Sequence, residues 1–97
     1  MFFSYVTPIK TTLNATYPNP FHSIISINYS VDNDGHVEIM IYDAAGSLVE
    51  QLVNGHQNVG YYSFDWDATN YPDGYYRVIA DFGDIECFHN IHKKLNP

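Results

Sequence analysis

Residues 22–43 read HSIISINYSVDNDGHVEIMIYD, two runs in which apolar and polar residues alternate around an Asp/Asn/Gly centre. A period of two places alternate side chains on opposite faces of a β-strand, so each run predicts a strand with one buried face. The predicted buried positions are Ile25, Ile27, Tyr29 and Val31 in the first strand and Val37, Ile39 and Ile41 in the second. Residues 32–35 (DNDG) supply turn formers between the runs, and we therefore predict that the two strands form a hairpin.

The same period continues on both sides of this segment, and no stretch shows a helical stripe. Residues 48–53 predict a further strand, residues 54–59 a polar loop, and residues 61–66, 75–82 and 85–92 three more strands. Residues 11–21 contain two prolines that cannot donate to a ladder, so they form at most an edge strand ending in an irregular corner. Six or seven short strands, with turn signals about every 8–12 residues, predict an all-β fold, an immunoglobulin-like antiparallel β-sandwich of about seven strands with Greek-key connections.

Length and composition fit one small folded domain. The chain has 97 residues, of which 45% are hydrophobic and 15% charged, which is too apolar for intrinsic disorder. A single cysteine, Cys87, excludes an internal disulfide framework. We assign residues 11–94 to the sandwich, residues 1–10 to a disordered or linker-like N-terminal segment and residues 95–97 to a tail.

The charge balance restricts the partners. Eleven Asp and Glu face four Lys and Arg, a formal charge of −7, whereas nucleic-acid binding needs a surplus of cations. The same deficit argues against an electrostatic hold on anionic membranes. No apolar run approaches the roughly 20 residues of a membrane span. The first ten residues lack the basic and apolar regions of a signal peptide, so for an exported domain we expect the export signal upstream of this chain.

Catalytic signatures are not found in the sequence. It contains no Ser-His-Asp pattern, no spaced carboxylate pair and no glycine-rich phosphate loop, and we predict that the domain is not an enzyme and carries no cofactor. His89 and His92 form an HxxH pattern, but on a strand they point to opposite faces, which disfavours joint metal binding. Cys87 is expected to be a small buried side chain.

One loop leaves a calcium site open as an alternative. Clustered carboxylates and amides suit calcium, but Asp and Asn are also ordinary turn residues, and the spacing is not that of an EF-hand. We therefore favour plain turn chemistry. The residues in question are Asp65, Asp67, Asn70 and Asp73.

Aromatic residues make up 16% of the chain, and nine of them are tyrosines. Tyr62, Phe64 and Trp66 fall on one face of their predicted strand, the apolar face, and we expect this face in the core. Tyr76 opens a strand after Pro72 and is typical of a tyrosine corner, with its hydroxyl bonded to the preceding loop and its ring in the core. Exposed tyrosines such as Tyr61 and Tyr75 leave a carbohydrate-binding module as an alternative function.

Several short motifs occur in an order that resembles a known family. They are YPNPF (Tyr17, Pro18, Asn19, Pro20, Phe21), IYDAAG with Tyr42, Asp43 and Gly46, the segment from Gly60 to Trp66 and Asp67, Gly74 with Tyr75 and Tyr76, and the terminal pair Lys93 and Lys94. Together they resemble the C-terminal sorting domain of cargo proteins of the type IX secretion system in Bacteroidetes and relatives. The chain is also similar to the immunoglobulin-like domain of the flagellar hook-capping protein. The sequence departs from the sorting-domain pattern in two ways. Ala68 replaces a glycine after Trp66-Asp67, and three residues, Leu95-Asn96-Pro97, follow the lysines.

The resemblance implies a non-catalytic module of a larger secreted precursor. Such a domain is an export address that the outer-membrane translocon recognises, and a sortase-like peptidase often removes it afterwards. The expected partners are therefore proteins of the translocon or sortase, and the expected location is the cell surface or the medium, reached through the periplasm. The recognition element implied here is Gly74, Tyr75 and Tyr76 with the last strand, Lys93 and Lys94. The alternatives are a structural or adhesive immunoglobulin-like module and the carbohydrate-binding module; the oligomeric state stays open.

Overall fold

A computed structural model describes residues 9–95 of the chain, which form seven β-strands and no helix within that range. Residues 1–8 of the predicted N-terminal segment 1–10, and residues 96–97 of the predicted tail 95–97, lie outside the described residues. The strands are β1 (Thr12–Tyr17), β2 (Ile24–Val31), β3 (Gly35–Asp43), β4 (Leu48–Gln57), β5 (Gly60–Asp67), β6 (Gly74–Asp81) and β7 (Glu86–Lys93).

The strands form two antiparallel sheets, in the orders β1-β2-β5 and β4-β3-β6-β7. Their apolar faces enclose a single core of buried side chains contributed by both sheets, as expected of two sheets packed face to face. Relative to the constant-type immunoglobulin order, the fourth strand pairs with the third instead of joining the first sheet. The predicted all-β sandwich of about seven strands is confirmed.

The core follows the alternation that the sequence predicts. All seven apolar positions named for the first two strands are buried, and so are Trp66, Tyr76, Val78 and Ala80. Trp66 occupies the centre of an aromatic group with Phe21, Tyr71 and Tyr76, at ring-centroid distances of 6.0, 5.6 and 5.4 Å respectively. Its indole N–H donates to Glu50 at 2.7 Å, so the largest core side chain keeps a hydrogen-bond partner.

The predicted hairpin between residues 22–31 and 36–43 is wrong. β2 pairs with β1 and β5, whereas β3 pairs with β4 and β6, so the turn at residues 32–35 carries the chain from one sheet to the other. No residue of this turn has a positive φ, which a two-residue type I′ hairpin requires. Asp34 accepts a hydrogen bond from the Val59 amide at 2.8 Å and ties this crossing to the neighbouring one between β4 and β5.

The structure also departs from two more local predictions. Residues 54–57, predicted as a polar loop, extend β4, because β3 continues to Gly35 and supplies a pairing partner as far as Gln57. Phe64, predicted on the core face of β5, is 38% exposed, since β5 is the outer strand of its sheet. Tyr62 on the same strand is half-buried and stacks on Tyr29 with centroids 5.2 Å apart.

Candidate functional site

The two parts of the implied recognition element lie next to each other on β6 and β7. In the antiparallel pairing of these strands, Gly74 is opposite Lys93 and Tyr75 is opposite His92. Residues almost twenty positions apart in the chain are thus brought together at one end of the larger sheet. Both parts of the implied recognition element therefore lie at the same end of this sheet.

The two tyrosines of this element have opposite surroundings. Tyr75 is 63% exposed, and its ring stacks on that of His92 with centroids 4.2 Å apart and an interplanar angle of 14°. Tyr76 is buried, and its hydroxyl donates to the Pro72 carbonyl at 2.5 Å. Burial, followed by the nearby carboxylates of Asp43 and Asp73, raises the pKa of Tyr76. Tyr76 is therefore the predicted tyrosine corner, and Tyr75 is the ring that a partner can reach.

The two lysines are also divided between core and solvent. Lys93 is 4% exposed, and its Nζ donates to the carbonyl oxygens of Ala68, at 2.8 Å, and Tyr71. The Lys94 side chain is exposed, while its amide donates to the Phe21 carbonyl at 2.9 Å. Lys93 therefore supports the loop after β5 from inside, and Lys94 presents its charge outside.

The YPNPF segment (Tyr17–Phe21) closes part of the outer edge of β7, the edge that faces away from β6. Asn19 accepts from the His92 amide at 3.0 Å and donates to the Asn90 carbonyl at 3.2 Å. The Phe21 amide donates to the His92 carbonyl at 2.9 Å, and the Phe21 ring is fully buried. This role of Asn19 was not predicted from the sequence; an amide side chain between two prolines, where the chain leaves a strand, was the available signal.

The first half of the same edge has no such cover in the described part of the chain. His92 and Asn90 point their backbone groups outward, and the period of two places those of Phe88 and Glu86 on the same edge. Neither of these two residues has an outward backbone hydrogen bond to residues 9–95. Phe88 is 54% exposed, and the β6–β7 register is free of bulges. By contrast, the pairing of edge strand β1 has one register shift and that of edge strand β4 has two. Edge strand β5 is also paired without a bulge, but it lies in the other sheet from Tyr75 and the last strand.

The remaining motif residues build the framework around this edge. Asp43 accepts from the amides of Ala45 and Ser47, at 3.0 and 2.9 Å, in a turn that ends at Gly46 with φ of 85°, a conformation that glycine adopts without strain. Tyr42 contacts Met40 through a 3.7 Å hydroxyl–sulfur hydrogen bond. Gly60 begins β5 opposite Val31.

The residues considered for calcium do not converge. Asp65 accepts from Ser26 at 2.7 Å, and Asp73 accepts from the Leu95 amide at 2.9 Å. Asp67 accepts from the amide and hydroxyl of Thr69, and these hydrogen bonds lower the pKa of its carboxyl. Each carboxylate thus completes a local turn or strand contact. Asn70 lies in the turn that follows β5.

The histidine pair and the cysteine have structural contacts instead. His89 Nδ1 lies 3.1 Å from the Thr16 hydroxyl, which links β7 to β1, and His92 stacks on Tyr75. Cys87 is only partly buried, although it packs against the core. Among residues 9–95, no group of three or more His, Cys, Asp or Glu side chains is arranged to hold a metal ion.

Comparisons with known proteins identify the family. In the part of the chain that the structure describes, no helix is long and apolar enough to cross a membrane. No curated protein matches the chain. A family model described as the secretion system C-terminal sorting domain matches residues 15–94, a range that begins within β1 and ends one residue after β7. The match covers most of the 97 residues, and the chain therefore belongs to the family of type IX secretion C-terminal sorting domains.

Proposed function

We propose that this domain is the export address of a larger precursor and that the secretion machinery recognises it at the edge of β7. Membership of the family gives the domain a role in type IX secretion sorting and implies contact with the secretion machinery and export to the cell surface or medium. The proposal adds the place of contact: the outer edge around Glu86 and Phe88, flanked by the exposed side chains of Tyr75 and Lys94. The domain itself is a recognition module without a catalytic role.

One observation carries this proposal. The YPNPF segment pairs with the outer edge of β7 from Asn90 to Lys94 and ends there. The first half of this edge, at Glu86 and Phe88, therefore keeps a regular row of outward N–H and C=O groups. Such a row is a template for an added strand, and strand addition is a common way in which proteins bind extended segments. The bulges in the pairing of β1 and β4 make those edges poorer templates, and the regular edge of β5 belongs to the other sheet, apart from Gly74, Tyr75 and the last strand.

The test is an export assay with two variants at one position. The domain is fused behind a signal peptide and a fluorescent protein and expressed in a type IX-competent strain and in its translocon-null sibling. Phe88→Pro removes the outward N–H that strand addition needs, whereas Phe88→Ala removes the same ring and keeps the N–H. In the competent strain we expect export of the parent and of Phe88→Ala and retention of Phe88→Pro. In the null strain we expect retention of all three proteins.

A control separates lost recognition from lost folding. Edge strands tolerate proline better than central strands do, and urea denaturation of purified Phe88→Pro establishes whether the sandwich persists. Export of a folded Phe88→Pro protein at the parent level would overturn the β7 edge as the contact. Export of the parent in the null strain, or its retention in both strains, would instead favour a structural or adhesive immunoglobulin-like module.

A further inference from the structure

The outer face of the β4-β3-β6-β7 sheet contains a depression beside the proposed export contact, with which it shares Tyr75. Its volume is about 600 Å³, and its walls include Tyr42 and Asp43 from the end of β3, Tyr75 and Arg77 from β6, and Asn90 from β7. These residues are neighbours because Tyr42 is opposite Arg77 and Arg77 is opposite Asn90 in the strand registers. The volume is within the usual range for small-ligand sites.

Arg77 is held in a fixed position without a charged partner. Its guanidinium carbon lies 4.6 Å from the centroid of the Phe88 ring, and its Nε donates to Asn90 Oδ1 at 3.0 Å. Although the chain has eleven acidic residues, no carboxylate of residues 9–95 comes within 4.0 Å of this guanidinium. The ion pair found among these residues joins His36 and Glu38 and does not involve Arg77. The terminal N–H groups of Arg77 are therefore available to a ligand.

Tyr75 provides a rigid aromatic wall beside this guanidinium. One face of its ring is covered by His92 at 4.2 Å, nearly parallel, and 63% of the residue is still exposed. Because the stack fixes the ring, a ligand that packs on its open face would not have to order it first.

We propose that this depression binds a neutral saccharide. The apolar C–H face of a pyranose ring packs on an aromatic face such as that of Tyr75, and each sugar hydroxyl both donates and accepts hydrogen bonds. The walls supply both functions, with donors on Arg77 and Asn90 and an acceptor in the hydroxyl oxygen of Tyr42, whose own proton goes to Met40. The formal charge of −7 disfavours anionic ligands, which would otherwise suit an unpaired arginine. This inference does not depend on how the domain is exported.

The test is an NMR titration of the purified domain with neutral gluco-, manno-, galacto- and chito-oligosaccharides and with oligogalacturonate as the anionic counterpart. We expect at least one neutral oligosaccharide to shift amide signals of residues 42–46, 75–77 and 90–92. Tyr75→Ala should weaken that binding about tenfold, the scale of one aromatic contact, and Arg77→Gln should weaken it as well. Tyr61→Ala is the matched control, since Tyr61 is 72% exposed and lies on β5 in the other sheet.

Three outcomes would overturn the proposal. The first is that no neutral oligosaccharide of the panel shifts these signals, or that only oligogalacturonate does. The second is that Tyr75→Ala binds as tightly as the parent while its spectrum shows a folded domain. The third is that Tyr61→Ala loses binding and Tyr75→Ala keeps it, which would place the saccharide on the opposite sheet. Arg77→Gln fused to the export reporter distinguishes the two roles, because we expect it to reduce saccharide binding without reducing export.

Discussion

Lys93 is a charged residue whose side chain belongs to the interior of the sandwich. Its Nζ donates to two carbonyl oxygens in the loop after β5, those of Ala68 and Tyr71. The family resemblance placed both lysines in the recognition element, but the alternation along β7 places Lys93 on the same face as the buried Ile91, and this signal was readable in the sequence. The burial of Ala68, where the family pattern has glycine, could not be read from the sequence because it depends on the fold of that loop.

Replacing Lys93 by methionine should destabilise the domain. Lys93→Met keeps most of the buried chain but leaves the Tyr71 carbonyl without its donor, whereas the Ala68 carbonyl still accepts from the Tyr71 amide. A buried unsatisfied group costs roughly 1–3 kcal/mol, so we expect the free energy of unfolding in urea to fall by about 1–3 kcal/mol. Lys94→Met, on the exposed neighbour, should change it by less than about 0.5 kcal/mol. Equal effects of the two substitutions would contradict the assigned role of Lys93.

The lowered pKa of Asp67 predicts that the stability of the domain falls at acidic pH. Hydrogen bonds from Thr69 hold the pKa of its carboxyl below the ordinary value in the folded state. A carboxylate with a lowered folded pKa stabilises the fold at pH values above its unfolded pKa, and this contribution is lost as the pH falls through the folded pKa. In Thr69→Ala, which keeps the backbone N–H and removes the hydroxyl, the pKa of Asp67 should rise towards its ordinary value, as measured by NMR titration of the carboxyl carbon; an unchanged pKa would exclude the Thr69 hydroxyl as a cause.

For β2 and β3, periodicity identified the buried faces correctly but not the strands with which they pair. The alternation in β2 and β3 predicted their core positions, yet it also suggested a hairpin where the chain changes sheets. Two strands that bury apolar faces against one core can lie side by side or across from each other, and the pattern alone is the same in both cases. The extension of β4 to Gln57 likewise comes from pairing with β3, which overrides the polar composition of residues 54–57.

The contact of the YPNPF segment with β7 predicts a local effect of Asn19. Asn19→Ala removes two hydrogen bonds to the backbone of β7, a loss of roughly 1–3 kcal/mol. We expect the His92 amide to exchange faster with solvent, while amides in the centre of β3 change only with global stability. Asn33→Ala is the control, because Asn33 is exposed and its side chain donates only to the adjacent Asp32. Unchanged exchange at His92 in Asn19→Ala would contradict the contact.

Over the whole molecule, we propose that the last strand combines stability with recognition. β7 contributes Ile91 and Lys93 to the interior and receives the YPNPF segment on one half of its outer edge. The other half is uncovered within residues 9–95, and we propose that a partner binds there. The sequence and the family pattern located this strand, but only the structure distinguishes the two halves, since the difference depends on where residues 19–21 end in space.

The loss of thermal stability on C-terminal truncation should become much larger once Lys93 is removed. Deleting residues 95–97 removes the bond from the Leu95 amide to Asp73 and should lower Tm by only a few degrees, since an exposed hydrogen bond contributes about 1 kcal/mol or less. Deleting residues 93–97 also removes the Lys93 contacts and should lower Tm far more. Similar Tm values for the two truncations would show that Lys93 does not support the core.

The most direct test of the β7 edge as the export contact is the secretion of the fluorescent fusion with Phe88→Pro and Phe88→Ala, in a type IX-competent strain and its translocon-null sibling. We expect fluorescence on the surface or in the medium for the parent and for Phe88→Ala in the competent strain only, and periplasmic retention of a folded Phe88→Pro protein. Equal export of all three proteins, with the proline variant folded, would contradict it.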